Sequence, residues 1–287
     1  MGDLVVCKTV DEVRSLIAEL KAEGNAISFV PTMGALHHGH IALVEQAGDL
    51  ADFTVVSIFV NPKQFNNPED LLKYPRPLEA DLEKLSVLEN IIAFIPEVED
   101  VYPEDFVERD LDLGSLVRGQ EATFRPGHFE GVVNVVSRLF DIVEPDYAIF
   151  GEKDYQQLAI IKFMTKALKY DVQIIGAETV REESGLASSS RNMRLNESEL
   201  EKSTVIFKAL SFIKQAAFKS DFRTALAHAK KMIEDSSLEL EYLDVIDPDT
   251  FETVEDWRPG CRACVAANCG NVRLIDNMEV VPKVVFC

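Results

Sequence analysis

The chain has 287 residues, enough for two domains or one large one at roughly 150 residues per domain. Hydrophobic residues make up 47% and charged residues 27%, a globular balance that excludes long disordered tracts, collagen-like repeats and a disulfide-dense scaffold. Lys and Arg total 29 against 49 Asp and Glu, and the resulting net charge of −20 is repelled by nucleic-acid backbones and anionic lipid surfaces.

In chain order, the first residues carry no targeting signal. They lack the basic start and long apolar run of a signal peptide, and Val6 stands where a myristoylation signal wants Ser or Thr. Cys287 is the last residue, too late for prenylation. The spacing of Val10, Val13, Leu16, Ile17 and Leu20 predicts a helix over 10–20, with Thr9 and Glu12 placed as a capping box. A buried strand over 26–30 ends at Pro31, and a helix over about 40–50 follows. The apolar run 53–60 stops at Asn61-Pro62; it is far short of the ~20 residues a bilayer requires. Next come a helix over 79–88, a strand over 91–95 stopped by Pro96, a helix over 131–143, a strand over 147–150, a helix over 155–169 and a strand over 172–176. Short apolar strands alternating with helices predict an α/β fold with a parallel sheet covered on both faces, and ligands in such sheets bind at the carboxyl ends of the strands.

The pattern changes near residue 178. Residues 181–194 are polar and read as a loop; helices are expected over 197–218 and 222–235, and strands over 240–246, 263–267, 272–275 and 280–286. The expected domains are therefore 1–177 and a smaller α+β domain, 178–287. Five cysteines, an odd number, form no disulfide framework, and the expected compartment is the cytoplasm. Cys261, Cys264 and Cys269 raise a zinc site, whose fourth ligand would have to be Cys287. The alternative is a buried strand over 261–267 using Cys as a small apolar residue, and the lack of a nearby His favours it.

Three strand ends carry unusual residue sets. After the first strand of the alternating series comes Pro31-Thr32-Met33-Gly34-Ala35-Leu36-His37-His38-Gly39-His40, then a helix. A strand-to-helix turn aims backbone N–H groups and a positive dipole at whatever docks there, and imidazoles can stabilise charge building on a phosphate. The stretch 53–60 ends in Asn61-Pro62-Lys63-Gln64, whose amides suit hydroxyl and carboxylate groups. The strand 147–150 ends in Gly151-Glu152-Lys153-Asp154, offering a cation and an acceptor for ribose. Neither G-x-x-x-x-G-K-[ST] nor G-x-G-x-x-G after a strand is present, which weighs against kinases and dehydrogenases.

His37-x-Gly39-His40 resembles the H-x-G-H signature of a nucleotidyltransferase superfamily that includes class I aminoacyl-tRNA synthetases. Six longer strings are similar to the pantoate–β-alanine ligase family: Pro31 to His40, VSIFVNPKQF (56–65), Tyr74-Pro75-Arg76, RPGHFEGVV (125–133), FGEKDYQQL (150–158) and GLASSSRN (185–192). Residues 242–250 and GNVRLIDN (270–277) extend the likeness in colinear order. The resemblance implies a Rossmann-like N-terminal domain with a small C-terminal lid, and a homodimer. It further implies ATP-dependent joining of pantoate to β-alanine through pantoyl adenylate, with pyrophosphate and AMP released and magnesium accompanying ATP.

By the same resemblance, ATP lies along Met33, Gly34, Ala35, Leu36, His37, His38, Gly39 and His40. It would also meet Gly151, Glu152, Lys153 and Asp154, and Val180, Ser188, Ser189, Ser190 and Arg191. His40, His37 and Lys153 would be catalytic, Gln64 and Gln157 would clamp pantoate with Asn61 supporting the pocket, and Asp81 would meet magnesium. Three departures from the family pattern are Ser188 for an apolar residue, Lys63 for Met and His38 for an acidic residue. Two rivals compete with this reading. A transferase acting on a phosphorylated acceptor would want cations where Gln64 and Gln157 stand. A metal- or redox-responsive protein would be built on the histidine and cysteine clusters. A tRNA synthetase is disfavoured by length and charge.

Overall fold

A computed structural model describes residues 4–66, 68–217 and 219–281. The chain forms two compact units: Met1–Leu113, Arg125–Glu152 and Gln157–Glu178 make the first, and Gly114–Phe124, Lys153–Gln156 and Thr179–Cys287 the second.

In the first unit, β1 (Val5–Cys7), β2 (Ile27–Thr32), β3 (Phe53–Ile58), β4 (Ile91–Phe94), β5 (Tyr147–Gly151) and β6 (Gln173–Ala177) form a parallel sheet in the order β1-β4-β3-β2-β5-β6. From β2 the chain builds outward through β3 and β4 on one side, and through β5 and β6 on the other. The carboxyl ends of β2 and β5 therefore flank the topological switch point, where open α/β sheets bind ligands. Both faces are covered, as the uninterrupted apolar strands require. On one face Phe29 and Phe150 each meet the ring of Phe140, from the helix His128–Val143, in edge-on contact. On the other, Val30, Val56 and Ala93 pack with Leu36, Val44 and Leu85. Phe29 is fully buried, so truncation to Ala would cost about 3–5 kcal/mol.

The helices and strands expected up to residue 275 are present, and their differences have local causes. The Thr9–Glu12 capping box forms as expected and starts the helix Val10–Ala22. The helix expected over 40–50 is His38–Gly48, because His37 caps it. The helix expected over 131–143 starts at His128, where Gly127 turns the chain at φ 80°. Strand β1 is three residues long with Val5 and Val6 exposed, too short to leave a periodic signal. The helices Pro68–Lys73, Val98–Val101 and Gln120–Phe124 escaped the reading for the same reason.

The second unit carries β7 (Glu239–Ile246), β8 (Arg262–Cys269) and β9 (Val272–Glu279) as an antiparallel sheet with β8 central. One face, with Ala263, Val265, Ala267 and Leu274, packs on the helices Glu197–Ala216 and Phe222–Glu234. The other holds the Arg273 guanidinium, which pairs with Glu121 (2.7 Å) and Glu241 (2.8 Å), while the Tyr242 hydroxyl donates to Glu121 (2.9 Å). The segment Gly114–Phe124 is thereby fastened to this sheet although it precedes it by more than a hundred residues. Strand β9 runs past the expected 275 and ends at Glu279. Most of the strand expected over 280–286 lies outside the described residues, as do Phe218 and Cys287.

Candidate active site

The loop after β2 is organised around its own backbone. Thr32 donates its hydroxyl to the Ser57 carbonyl (2.7 Å) and accepts the Gly34 amide (3.1 Å). Asp81, on the helix Leu78–Leu85, is 1% exposed, and its two oxygens accept the Ala35 and Leu36 amides, each at 2.7 Å. Lys84 of the same helix donates to the Leu36 carbonyl (2.7 Å). A side chain at Gly34 would be excluded twice over: φ is +77°, and a Cβ would meet Ile58 Cγ2 at 3.0 Å and Asp81 Oδ2 at 3.1 Å. Asp81 is thus the clamp that shapes the turn, with both oxygens engaged by the chain.

The helix His38–Gly48 begins with its two motif histidines as caps. His37 is the N-cap and its Nδ1 accepts the Gly39 amide (3.1 Å); His40 Nδ1 reaches back to accept the His37 amide (3.3 Å). This reciprocal arrangement is the one Ser or Thr usually makes with Glu three residues later, which gives H-x-x-H spacing a structural reason. A backbone N–H only donates, so both Nδ1 atoms are acceptors, and the proton of each neutral ring sits on Nε2. An imidazolium at either position would set Nδ1–H against the amide it caps. The rings lie 4.0 Å apart between centroids, tilted by 40°. Two Nε2–H donors at the positive end of a helix suit a phosphate. His38, between them, is exposed.

Beyond β3, Asn61 caps the single turn Pro62–Gln64 by accepting the Lys63 amide (3.2 Å). Its amide nitrogen donates to Gln64 Oε1 (3.0 Å) and to the Gly131 carbonyl (3.2 Å), and its oxygen also accepts from the Tyr102 hydroxyl (2.8 Å). Gln64 Nε2 points at the Met33 sulfur (3.0 Å), so this turn and the histidine loop meet. His128 Nδ1 lies 2.9 Å from the Gln64 carbonyl. A Cβ on Gly131 would stand 2.7 Å from the Lys63 carbonyl carbon and 2.9 Å from Gln64 Cα, so only glycine lets the helix His128–Val143 seat against the turn. Lys63, a departure from the family pattern, pairs with Glu108 and lies over the Tyr102 and Phe106 rings at 4.7 and 5.2 Å. Gln157 is half-buried on the helix Tyr155–Ala167.

In the second unit, the Lys153 ammonium is 3.7 Å from the Asp154 carboxylate, and the Lys153 carbonyl accepts from Asn277 Nδ2 (2.9 Å). The stretch read as a loop is more regular than expected: Arg181 and Ala187 bridge, Ser188 donates its amide to the Val180 carbonyl (2.9 Å), and Ser189 caps the 3-10 turn Ser190–Arg194. Arg181 anchors it with a two-pronged pair to Asp276 at 2.6 and 3.0 Å. Burial raises the Asp276 carboxyl, against the downward pull of that guanidinium. Ser188, the second departure, is buried and donates its hydroxyl to Glu182 (2.6 Å), so a polar side chain is tolerated there because it finds a partner.

The cysteines behave as the strand reading expects. Cys261 and Cys269 share the apolar core with the helices, whereas Cys264, an odd number of residues from each, faces the other side of the sheet. A C-x-x-C pair in a strand points its sulfurs apart. Among the described residues, no group of three or more His, Cys, Asp and Glu side chains could hold a metal ion. No described helix is long and apolar enough to cross a membrane. Tyr102, His128 and Gly131 were given no role from the sequence, although His128 and Gly131 lie in the string 125–133.

Comparison with known proteins bears on this geometry. The sequence profile described as Pantoate-beta-alanine ligase matches residues 5–279. Pantothenate synthetase of Leptospira interrogans is 43% identical over 282 residues, covering 96% of this chain and 98% of the relative. That of Pseudomonas putida is 46% identical over 276 residues, covering 95% and 96%. The crystal structure of pantothenate synthetase from Thermus thermophilus superimposes with a TM-score of 0.91 at 41% identity, covering 97% of this chain and all of that one. The Francisella tularensis pantoate-beta-alanine ligase, solved with beta-gamma ATP and beta-alanine, gives 0.81 at 33% identity, covering 96% and 98%. This chain belongs to the pantoate–β-alanine ligase family.

Proposed function

We propose that the ATP-dependent condensation of pantoate with β-alanine, this family's activity, runs here through pantoyl adenylate, with His37 and His40 as hydrogen-bond donors to the triphosphate. A pantoate carboxylate oxygen attacks the α-phosphorus, and the bond to the bridging oxygen breaks as pyrophosphate leaves. The β-alanine amine then attacks the acyl carbon, AMP departs, and the nitrogen loses its proton. The nucleophile in each step belongs to a substrate, so the protein's part is positioning and charge stabilisation. The observation that carries the reading is the reciprocal histidine cap. Each Nδ1 accepts a backbone N–H, so Nε2 on the far side of each ring is the donor, which supports hydrogen bonds to a phosphate bearing growing negative charge.

The other assignments follow the family positions. Lys153, Ser189, Ser190 and Arg191 meet the phosphates; Gly151, Asp154 and Val180 meet the nucleoside; Gln64 and Gln157 hold pantoate. An acyl adenylate hydrolyses readily, and we assign exclusion of water to residues 178–287. Magnesium accompanies ATP and supplies charge neutralisation on its phosphates. Asp81, whose oxygens already accept two amides, does not fit as its direct ligand, and no step is routed through the ion. A homodimer in the cytoplasm completes the proposal, supported for the compartment by four buried free thiols.

The test is an AMP-release assay with each substrate omitted in turn. Pantoate-dependent pyrophosphate release and β-alanine-dependent AMP release are expected. AMP formed at full rate without pantoate contradicts the reading, and dependence on a phosphorylated alcohol would transfer it to the rival transferase.

A further inference from the structure

We infer that Tyr102 is a positioning residue that acts through Asn61 to make Gln64 meet the acid substrate with its amide NH2 group rather than its carbonyl. The inference rests on the reading of Gln64 as a pantoate residue and specifies which atom does the recognising.

The argument is one of hydrogen-bond polarity. An Asn or Gln side chain has a donor end and an acceptor end, and partners that can play only one role fix which is which. Asn61 has such a partner at each end. The Lys63 backbone N–H only donates, so the atom 3.2 Å from it is the Asn61 oxygen. The Gly131 carbonyl only accepts, so the atom 3.2 Å from it is the Asn61 nitrogen. Two consequences follow without further choice. The Tyr102 hydroxyl, 2.8 Å from that oxygen, donates to it. The second Asn61 N–H meets Gln64 Oε1 at 3.0 Å, which leaves Gln64 Nε2 as the forward end, beside Met33 in the histidine loop. A thioether is a weak acceptor, so little is lost when a substrate oxygen takes its place.

Tyr102 is suited to hold this chain of bonds. Its ring packs between Phe59 (6.2 Å) and Phe106 (4.9 Å), and the Lys63 ammonium sits over it at 4.7 Å. Burial and the Glu108 carboxylate push the phenol up, so it keeps its proton, and with it the ability to donate, beyond the ordinary phenol range. The ligand chemistry that Gln64 then recognises is an oxygen acceptor: a carboxylate or a hydroxyl oxygen. An ammonium or amide N–H at the same point would oppose it.

Tyr102→Phe keeps the ring and removes the donor. Steady-state kinetics with pantoate and ATP varied in turn are expected to give a pantoate KM raised about tenfold, with kcat and the ATP KM within about twofold. A loss of packing would move all three. In a Gln64→Ala background the same substitution is expected to add less than about twofold, because the residue it acts through is gone. A pantoate KM at the wild-type value in Tyr102→Phe, with Gln64→Ala raised, overturns the inference alone. So does a Tyr102→Phe effect that persists in full without Gln64. An unchanged pantoate KM in Gln64→Ala overturns the reading of Gln64 and takes the inference with it. In the wild-type enzyme, the paired amide proton signals of Gln64, assigned by their loss in Gln64→Ala, are expected to move when pantoate is added. Signals that stay still overturn the donor assignment.

Discussion

At the end of β2 and in the turn after β3, polar side chains hold backbone amides and so take a fixed orientation. Both Nδ1 atoms of the histidine pair cap a helix, and Asn61 caps the turn that carries Gln64. On the polar face of β7–β9 the groups satisfy one another instead: Arg273 meets Glu121 and Glu241, and Tyr242 meets Glu121. The first pattern orients rings and amides through the backbone; the second ties side chain to side chain and fixes the fold. Polar residues in these two regions thus divide by whether backbone or side chains hold them, not by residue type.

The sharpest break of that comparison is at His40. His40→Asn keeps an acceptor for the His37 amide but lacks the Nε2–H, so turnover is expected to fall about 10²- to 10³-fold, or ~3–4 kcal/mol, with the melting temperature unchanged. A parallel loss of stability would make the pair mere helix caps. Arg273→Met should do the reverse. It removes the guanidinium from the Glu121 carboxylate, which is 10% exposed, and is expected to cost about 3 kcal/mol in chemical denaturation.

Asp81→Asn exchanges one acceptor for a donor facing a backbone N–H. It is expected to lose about 1–3 kcal/mol of stability and to slow turnover, with the magnesium concentration needed for half-maximal rate unchanged. A large shift in that concentration would restore Asp81 as a metal ligand.

Much of this was legible in the sequence, and the limits were physical. Alternating periods gave the parallel sheet, since a strand buried on both faces must be apolar throughout. The string 31–40 pointed to the site because glycines after a strand let backbone approach a ligand and imidazoles can donate to a phosphate. Three-residue β1 could not be seen, because periodicity needs length. Asp81 came as a magnesium position from the resemblance alone; its amide partners lie 45 and 46 residues away and leave no local trace. Tyr102 was missed for the same reason, 41 residues from Asn61.

Smaller effects sharpen the comparison further. Burial pushes the Cys264 thiol up to about 12 from its ordinary 9.0, so the folded protein holds its proton where the unfolded chain loses it. The associated stability is fully present below pH 9 and is lost as pH rises toward 12. Alkylation at pH 9 should therefore spare Cys264 until denaturant is added, as peptide mapping would detect. Lys63→Met should change stability by no more than ~0.5 kcal/mol, because its partner Glu108 is 63% exposed and solvent screens the pair.

The most direct test reads the imidazole protons themselves. Long-range ¹H–¹⁵N spectra of ring-labelled histidine at neutral pH should place His37 and His40 in the neutral Nε2–H form, with their Nε2 signals, and not Nδ1, moving when a non-hydrolysable ATP analogue is added. Either ring protonated on Nδ1, or Nε2 signals indifferent to the nucleotide, would contradict the account.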